Sequence, residues 1–251
     1  MMTQNHAVIV LASGLSQRLG QVKQLLNKDG EPLICYMTKL ALATQPQAII
    51  IVIPEDNLLI ASAITELATQ HAIVNTVMNP IPKMGMAHSL YLGIKALNRL
   101  DSADSCDSLL INRVLIMGVD QILLDEEHLL TLLAGTQTVV ASGYSSLENW
   151  SNWQDLDEKA VIDKKNAIDE TTATETLKKD IVGLPLAIDY KLLRQWQALL
   201  TGDKGLRYLI RGLRPSQIST VDNHQLSYDI DTPEQLAHAR AQRWLDRVDL
   251  I

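Results

Sequence analysis

The sequence predicts an α/β fold in which mostly parallel strands are joined by crossover helices, and three observations carry that prediction. Short apolar runs rich in β-branched residues alternate with segments of helical periodicity from the first residues onward. Hydrophobic residues make up 47% of the chain and charged residues 20%, enough apolar material for one sizeable core. The length of 251 residues lies within the range that α/β chains reach as a single domain. One domain spanning residues 1–251 is therefore expected.

Residues 7–12 form a buried strand by composition, and residues 48–53, 73–78 and 114–119 repeat the pattern. Residues 139–144 make a fifth strand. Between these, residues 58–68 place Ile60, Ile64 and Leu67 on one helical face, and residues 86–97 do the same with Met86, Leu90, Gly93 and Leu97. The pattern lapses after Tyr144. Residues 146–180 hold nine acids and five bases with no Gly or Pro, which reads as a charged, solvated insertion that leaves one strand and returns into residues 181–188. Trp150 and Trp153 indicate that its start packs on something, since two large aromatic side chains are costly to leave in water. Near the end, Thr232 can cap a helix, Pro233 suits its first position and Gln235 completes a capping box, so a last helix is expected to run to Arg247.

The net charge of −7 leaves no basic face for a phosphate backbone, so nucleic acid is not an expected partner. Cys35 and Cys106 are too few for a disulfide framework and too far apart for a zinc or redox pair, which fits a reducing, cytoplasmic setting. The first residues carry no basic segment, and the longest apolar runs fall well short of the roughly 20 residues that span a bilayer. Neither secretion nor membrane insertion is expected. The six histidines lack metal-ligand spacing, and no Gly-x-Ser-x-Gly elbow or Cys/His pairing points to covalent catalysis.

The first strand runs directly into Ser13-Gly14-Leu15-Ser16-Gln17-Arg18-Leu19-Gly20-Gln21-Val22-Lys23. In an open parallel sheet, loops at the carboxyl ends of strands are where ligands bind. Gly14 and Gly20 let backbone N–H groups approach a phosphate, Ser13 and Ser16 add hydroxyls, and Arg18 and Lys23 bring positive charge. The spacing is neither that of the P-loop, Gly-x-x-x-x-Gly-Lys-Ser/Thr, nor that of the dinucleotide loop, Gly-x-Gly-x-x-Gly. Downstream, Asn79-Pro80, Gly85-Met86, Ser89-Leu90 and Gly93 put a glycine where a helix opens, so that its first N–H groups and positive dipole end can face an anion. Ser89, one turn in, can bond a ligand or its own helix. Asp120 stands at the carboxyl end of the fourth strand, and Asp229 and Asp231 precede the last helix, where an aspartate can also serve as a mere cap.

Residues 11–25 closely resemble the signature L-A-[AG]-G-x-S-x-R-M-G-x-x-K-x-L of the MobA-like nucleotidyltransferases, the family of molybdenum cofactor cytidylyltransferase and guanylyltransferase. The residues from Asn79 to Gly93 resemble the family's N-P-x-x-x-x-G-M-x-x-S-L-x-x-G segment, and Asp120 matches V-D-[QM]-P with Ile122 in place of the proline. Tyr228-Asp229-Ile230-Asp231-Thr232-Pro233-Glu234 is similar to its D-I-D-T-P-E-D-L tail. Gly183-Leu184-Pro185 and Gly202-Asp203-Lys204-Gly205-Leu206-Arg207 resemble its G-x-P strand start and G-D-x-G-A-R turn.

The resemblance implies a single three-layer Rossmann-like domain with a mostly parallel mixed sheet, the GT-A-like nucleotidyltransferase fold. It implies nucleotide contacts from Leu11, Ala12, Ser13, Gly14, Ser16, Gly20, Asn79, Gly85, Met86 and Ser89, and catalytic roles for Arg18, Lys23 and Asp120. Magnesium, or manganese, is expected on Asp120 with Asp231 or Asp229, and acceptor contacts at Gly183, Pro185, Asp203 and Arg207. The reaction implied is transfer of a nucleoside monophosphate from a triphosphate, by preference CTP, to a phosphorylated acceptor such as molybdopterin, with release of pyrophosphate. Ser13 stands where cytidylyltransferases tend to have Ala and guanylyltransferases Gly, which leaves the base open. Two alternatives stand beside this: a nucleotidyltransferase for a sugar or polyol phosphate, and a non-catalytic carrier that hands the cofactor to a molybdoenzyme. Arg18, Lys23 and Asp120 speak against the carrier, and the insertion, as a docking surface, speaks for it.

Overall fold

The computed structural model describes residues 5–103, 110–145, 180–201 and 205–248. Cys106, Asp203, and the expected insertion from residue 146 to 179 with Trp150 and Trp153 lie outside the described residues. The elements in chain order are β1 (His6–Leu11), a small ribbon of β2 (Asn27–Lys28) and β3 (Glu31–Pro32), α1 (Leu33–Ala43), β4 (Ala48–Pro54), α2 (Leu58–Gln70), β5 (Val74–Asn79) and α3 (Met86–Ala103). There follow β6 (Arg113–Gly118), α4 (Glu126–Ala134), β7 (Val139–Ser145), β8 (Asp180–Asp189), α5 (Tyr190–Trp196), α6 (Arg207–Ile210), β9 (Ile218–Asp222) and α7 (Pro233–Ala241).

Seven strands make one mixed sheet in the order β5-β4-β1-β6-β8-β7-β9. β5, β4, β1 and β6 are parallel neighbours; β8 runs antiparallel to both β6 and β7, and β9 is parallel to β7. The central strands read as unbroken apolar runs because both sheet faces are covered. Along β1, Val8 and Val10 pack with Ile34, Met37, Ile60, Ile64, Leu129 and Leu132 from α1, α2 and α4. Ala7 and Ile9 point the other way, toward Leu90, Ile94 and Leu97 of α3 and Leu193 of α5. The result is a three-layer α/β domain, as predicted. Gly93 is where α3 comes closest to the sheet, since a Cβ there would lie 2.8 Å from Ile9 Cγ2. Among the described residues, no helix is long and apolar enough to cross a membrane.

A smaller cluster lies beside the main core: Leu19 from the first loop, Leu26, Leu33, Ile122 after β6, Ile230, and Leu236, Ala239 and Leu245 at the end of the chain. It ties together three segments far apart in sequence. Ile122, which replaces the proline of the resembled motif, is fully buried there and so anchors the chain just after Asp120. Gln121 and Asp229 form an isolated antiparallel bridge that holds the two acidic segments side by side.

The last helix starts as expected, with Thr232 Oγ1 accepting from Gln235 N–H at 3.3 Å and Gln235 Oε1 accepting from Thr232 N–H at 2.9 Å. It ends at Ala241, short of the expected Arg247. Arg243 adopts φ of 62°, and Trp244 N–H bonds Ala239 O at 2.9 Å while Arg243 N–H bonds Arg240 O at 3.2 Å. This is a left-handed C-terminal cap built without glycine, so the usual stop signal is missing from the sequence.

Candidate active site

Beyond β1 the chain crosses the carboxyl end of the sheet under a cavity of about 820 Å³. Ser13, Gly14, Ser16, Arg18 and Lys23 form one wall, and Gly85, Met86 and Ser89 form another. Asp120 and Asp231 close it. The loop turns through Ser16 and Gly20, whose φ values are 50° and 71°, and the N–H groups of Leu19 and Gly20 both bond Ser16 O at 3.1 Å. Ser16 Oγ accepts from Lys23 N–H at 3.2 Å.

Gln24 supports the loop from within. Its buried amide donates from Nε2 to Ala12 O at 2.7 Å and to Gly14 O at 2.9 Å. In a trans peptide the next N–H points opposite to the carbonyl, so the N–H groups of Ser13 and Leu15 are turned away from Gln24. Both residues line the cavity. A Cβ on Gly14 would meet no atom within 4 Å, and its φ lies outside the left-handed range. Neither packing nor backbone conformation demands glycine there; the space over it is the cavity itself.

The opposite wall is fixed by a buried polar lock. Ser13 Oγ and Ser89 Oγ are 2.6 Å apart, and Asn79 Nδ2 donates to them at 3.2 and 3.1 Å. Asn79 Oδ1 accepts from Ile81 N–H at 2.9 Å. Gly85, with φ of 84° and ψ of −173°, occupies a region open essentially to glycine alone and delivers the first turn of α3 to the cavity.

The charged groups meet at Lys23. Its Nζ lies 3.3 Å from Asp120 Oδ2 and 2.6 Å from Asp231 Oδ1, and Arg18 Nη2 lies 2.5 Å from Asp231 Oδ2. Burial pulls the Lys23 ammonium down, but Asp120 and Asp231 outweigh it and hold the pKa above its ordinary value. For Asp231 burial acts upward, yet the hydrogen bond and charge of Lys23, helped by Arg18, keep the carboxyl below its ordinary range. Asp229 goes the other way: burial, then repulsion from Asp120 and Asp231, push it up to about 6.

Asp120 Oδ2 and Asp231 Oδ1 contact the same nitrogen, at 3.3 and 2.6 Å, which brings the two carboxylates to one spot. Among the described residues, no group of three or more His, Cys, Asp and Glu side chains is placed to hold a metal. A hard ion such as magnesium asks for less, since it takes one or two protein carboxylates and fills its other positions from phosphate and water. Asp120 and Asp231 fit that demand, and the ammonium between them marks the spot as one that holds positive charge.

A second cavity of about 430 Å³ adjoins the first and shares Leu11, Met86, Asp120 and Leu184 with it. Its polar groups come from Gln121, Tyr144, Arg207 and Asp229. The wall is shaped by a bulge in β8: Ala141 pairs with Leu186 and Ser142 with Gly183, so Leu184 and Pro185 are extra residues, and Leu184 reaches both cavities. Gln121 Nε2 donates to Leu184 O and Ser142 Oγ to Pro185 O, each at 2.7 Å. A Cβ on Gly183 would fall 2.6 Å from the Tyr144 hydroxyl oxygen, so glycine is needed because the phenol lies across it.

Leu11, Ser13, Gly14, Ser16, Gly85, Met86 and Ser89 thus line the first cavity with Arg18, Lys23, Asp120 and Asp231. Ala12, Gly20 and Asn79 stand behind it, as carbonyl, turn and lock. Gly183, Arg207 and Asp229 line the second cavity, whereas Pro185 contributes only its carbonyl to Ser142. Sequence reasoning missed Gln24, Gln121 and Tyr144. Gln24 and Gln121 directly follow Lys23 and Asp120, which is a signal of position; nothing marks Tyr144 except that it ends a strand.

The family described as MobA-like NTP transferase domain matches residues 8–220. No curated protein sequence matches the chain. Among solved structures, Rv0371c of Mycobacterium tuberculosis H37Rv superposes with a TM-score of 0.63 at 19% identity, covering 95% of this chain and 98% of that one. A nucleotidyl transferase from Methanothermobacter thermautotroptrophicus gives 0.61 at 18% identity, covering 95% and 97%. A 4-diphosphocytidyl-2C-methyl-D-erythritol synthase from Anaerococcus prevotii gives 0.62 at 15% identity, covering 96% of each chain. At these identities the structural matches establish the fold.

Proposed function

Because the chain belongs to the MobA-like NTP transferase family, we propose that it moves a nucleoside monophosphate from a triphosphate to a phosphorylated acceptor and releases pyrophosphate. The observation that carries this reading is the convergence of Asp120, Asp231 and Arg18 around Lys23 in the first cavity, beside a glycine whose side-chain space is left open. The triphosphate lies along the first loop, where the N–H groups of Ser13 and Leu15 and the start of α3 meet its oxygens. An acceptor phosphate oxygen attacks the α-phosphorus, the new P–O bond forms in line, and the bond to the β-phosphate breaks. No protein nucleophile is required. Lys23 and Arg18 counter the charge that grows on the leaving pyrophosphate. Magnesium or manganese on Asp120 and Asp231 supplies, when bound, charge neutralisation and a template for the two anions.

CTP is the proposed donor and molybdopterin the proposed acceptor. Supporting CTP, the Ser13 hydroxyl is engaged by Ser89 and Asn79, so the residue presents the cavity with a small side chain, as alanine does. A screen of CTP, GTP, ATP and UTP with magnesium and molybdopterin, read as pyrophosphate release, tests the proposal. Turnover with CTP is expected. GTP binding at least ten times more tightly than CTP overturns the cytidylyl assignment alone, and no pyrophosphate from any donor favours a non-catalytic carrier.

A further inference from the structure

We propose that Tyr144 selects the acceptor, and that the second cavity takes the body of a phosphate monoester that is compact and weakly hydroxylated. This rests on the transferase reading above. The two cavities meet at Asp120, so a molecule in the second can present its phosphate to a nucleotide in the first. Their linings divide the charge. Among the described residues, three cations, Arg18, Lys23 and Lys83, line the first, which suits a polyanion, while Arg207 is the one cation lining the second, which suits a single phosphate.

The remaining wall is built from Leu90, Leu186, Leu206, Ile210 and Leu226. A polyol or sugar would lose its water there and find few partners in return, a cost that a largely apolar or planar body escapes. Of the polar groups, Gln121 is tied to Leu184 O, and Asp229 is a carboxyl repelled by Asp120 and Asp231 that would repel a phosphorylated body in turn. Tyr144 remains. Its ring presents an apolar face, its hydroxyl makes no hydrogen bond to the described residues, and Gly183 opposite lacks the side chain that would displace it. Burial, with Asp229 and Asp120 nearby, pushes the phenol up to about 12, so it stays a neutral hydrogen-bond donor across the working pH range.

The test uses the full chain loaded with magnesium and a non-hydrolysable analogue of whichever nucleotide binds most tightly. Phenyl phosphate and glycerol 3-phosphate are then titrated by calorimetry against the wild type, Tyr144→Phe and Tyr144→Ala. Phenyl phosphate is expected to bind at least tenfold more tightly than glycerol 3-phosphate. Tyr144→Ala should remove that preference while leaving the nucleotide Kd unchanged, and Tyr144→Phe should keep the preference with a two- to fivefold weaker Kd. Equal or tighter binding of glycerol 3-phosphate overturns the inference, as does a preference that survives Tyr144→Ala. Should the alanine variant fail to fold, the wild-type preference and the phenylalanine variant decide, and loss of neither affinity nor preference on Tyr144→Phe then counts against the hydroxyl contact. Failure to take up any nucleotide sinks the transferase reading itself; uptake without acceptor preference sinks only the role of Tyr144.

Discussion

The first cavity draws most of one wall from a single stretch, residues 11–24, whereas the second takes residues from β1, α3, β6, β7, β8, α6 and the segment before α7. The chemistry differs in the same way. An anion must be met by N–H groups, hydroxyls and cations at fixed separations, which forces glycine, serine and basic residues into a recognisable order. An apolar pocket is walled by the same Leu and Ile residues that fill a core, so it leaves no mark in the sequence. Sites that bind charge announce themselves, and sites that bind shape do not.

The sharpest test of the charged side is Asp120→Asn. It should lower metal-dependent pyrophosphate release by on the order of a thousandfold or more, because it removes one of the two carboxylates proposed to hold the ion. Circular dichroism should show an intact fold; residual turnover near the wild-type level would detach the first cavity from the chemistry. Lys23→Ala comes next. Loss of a preorganised donor costs about 3 to 4 kcal/mol elsewhere, so turnover should fall by about 100- to 1,000-fold, and unchanged turnover would remove Lys23 from the site.

Gln24→Ala probes the hidden support of the same loop. It leaves the Ala12 and Gly14 carbonyls without their donor, and the nucleotide Kd should rise by about tenfold, equivalent to about 1.4 kcal/mol, with KM for the acceptor unchanged. A shift in the acceptor's KM instead would mean that the two cavities are less separable than their linings suggest.

Asp229 gives the comparison a pH signature, because it lines the second cavity and is repelled by both aspartates of the first. Its folded-state pKa of about 6 lies above the ordinary 3.8, so between these values the native chain holds a proton that the unfolded chain has lost. Stability therefore falls as pH rises from about 4 to about 6, and the penalty is complete above that window. Asp229→Asn should raise the Tm of the metal-free protein by a few degrees at pH 8, on the order of 1 to 2 kcal/mol, and leave it unchanged at pH 3.5. An equal shift at both pH values would assign the effect to packing. The smallest expected effect is Ser13→Ala, which removes one member of the lock and should cost about 1 kcal/mol in unfolding free energy by urea titration without reversing the order of nucleotide preference.

The parallel half of the sheet is legible in the sequence because β1, β4 and β6 are bounded apolar runs and β5 follows with Val74, Val77 and Met78 among polar residues. α1 escapes notice since its eleven residues are almost uniformly apolar, so the helical spacing of the buried Leu33, Ile34, Met37, Thr38 and Ala41 does not stand out, and β9 because an edge strand only half covered keeps little alternation. α4 also goes unread: its cap, Asp125 accepting from His128 N–H at 2.8 Å, opens a helix of only nine residues, too short for a strong period. In the site, the glycines and charges were visible as a motif. The uses of Ser13, Asn79 and Ser89 for one another, and of Gly183 for Tyr144, depend on distant contacts that no local pattern encodes.

The small cluster that joins Leu19, Ile122 and Leu236 lies apart from the two layers of the main core and buries far fewer side chains. Such a unit opens at lower free energy than the sheet, and as one cooperative piece. Native-state hydrogen exchange should therefore show the amides around Leu19 and those of α7 exchanging together, faster than β1 and β4, even though more than two hundred residues of chain separate them. A phosphorylated ligand held between the first loop and Asp231 would slow both sets by the same factor, so the last helix serves as a remote reporter of what the first loop has bound.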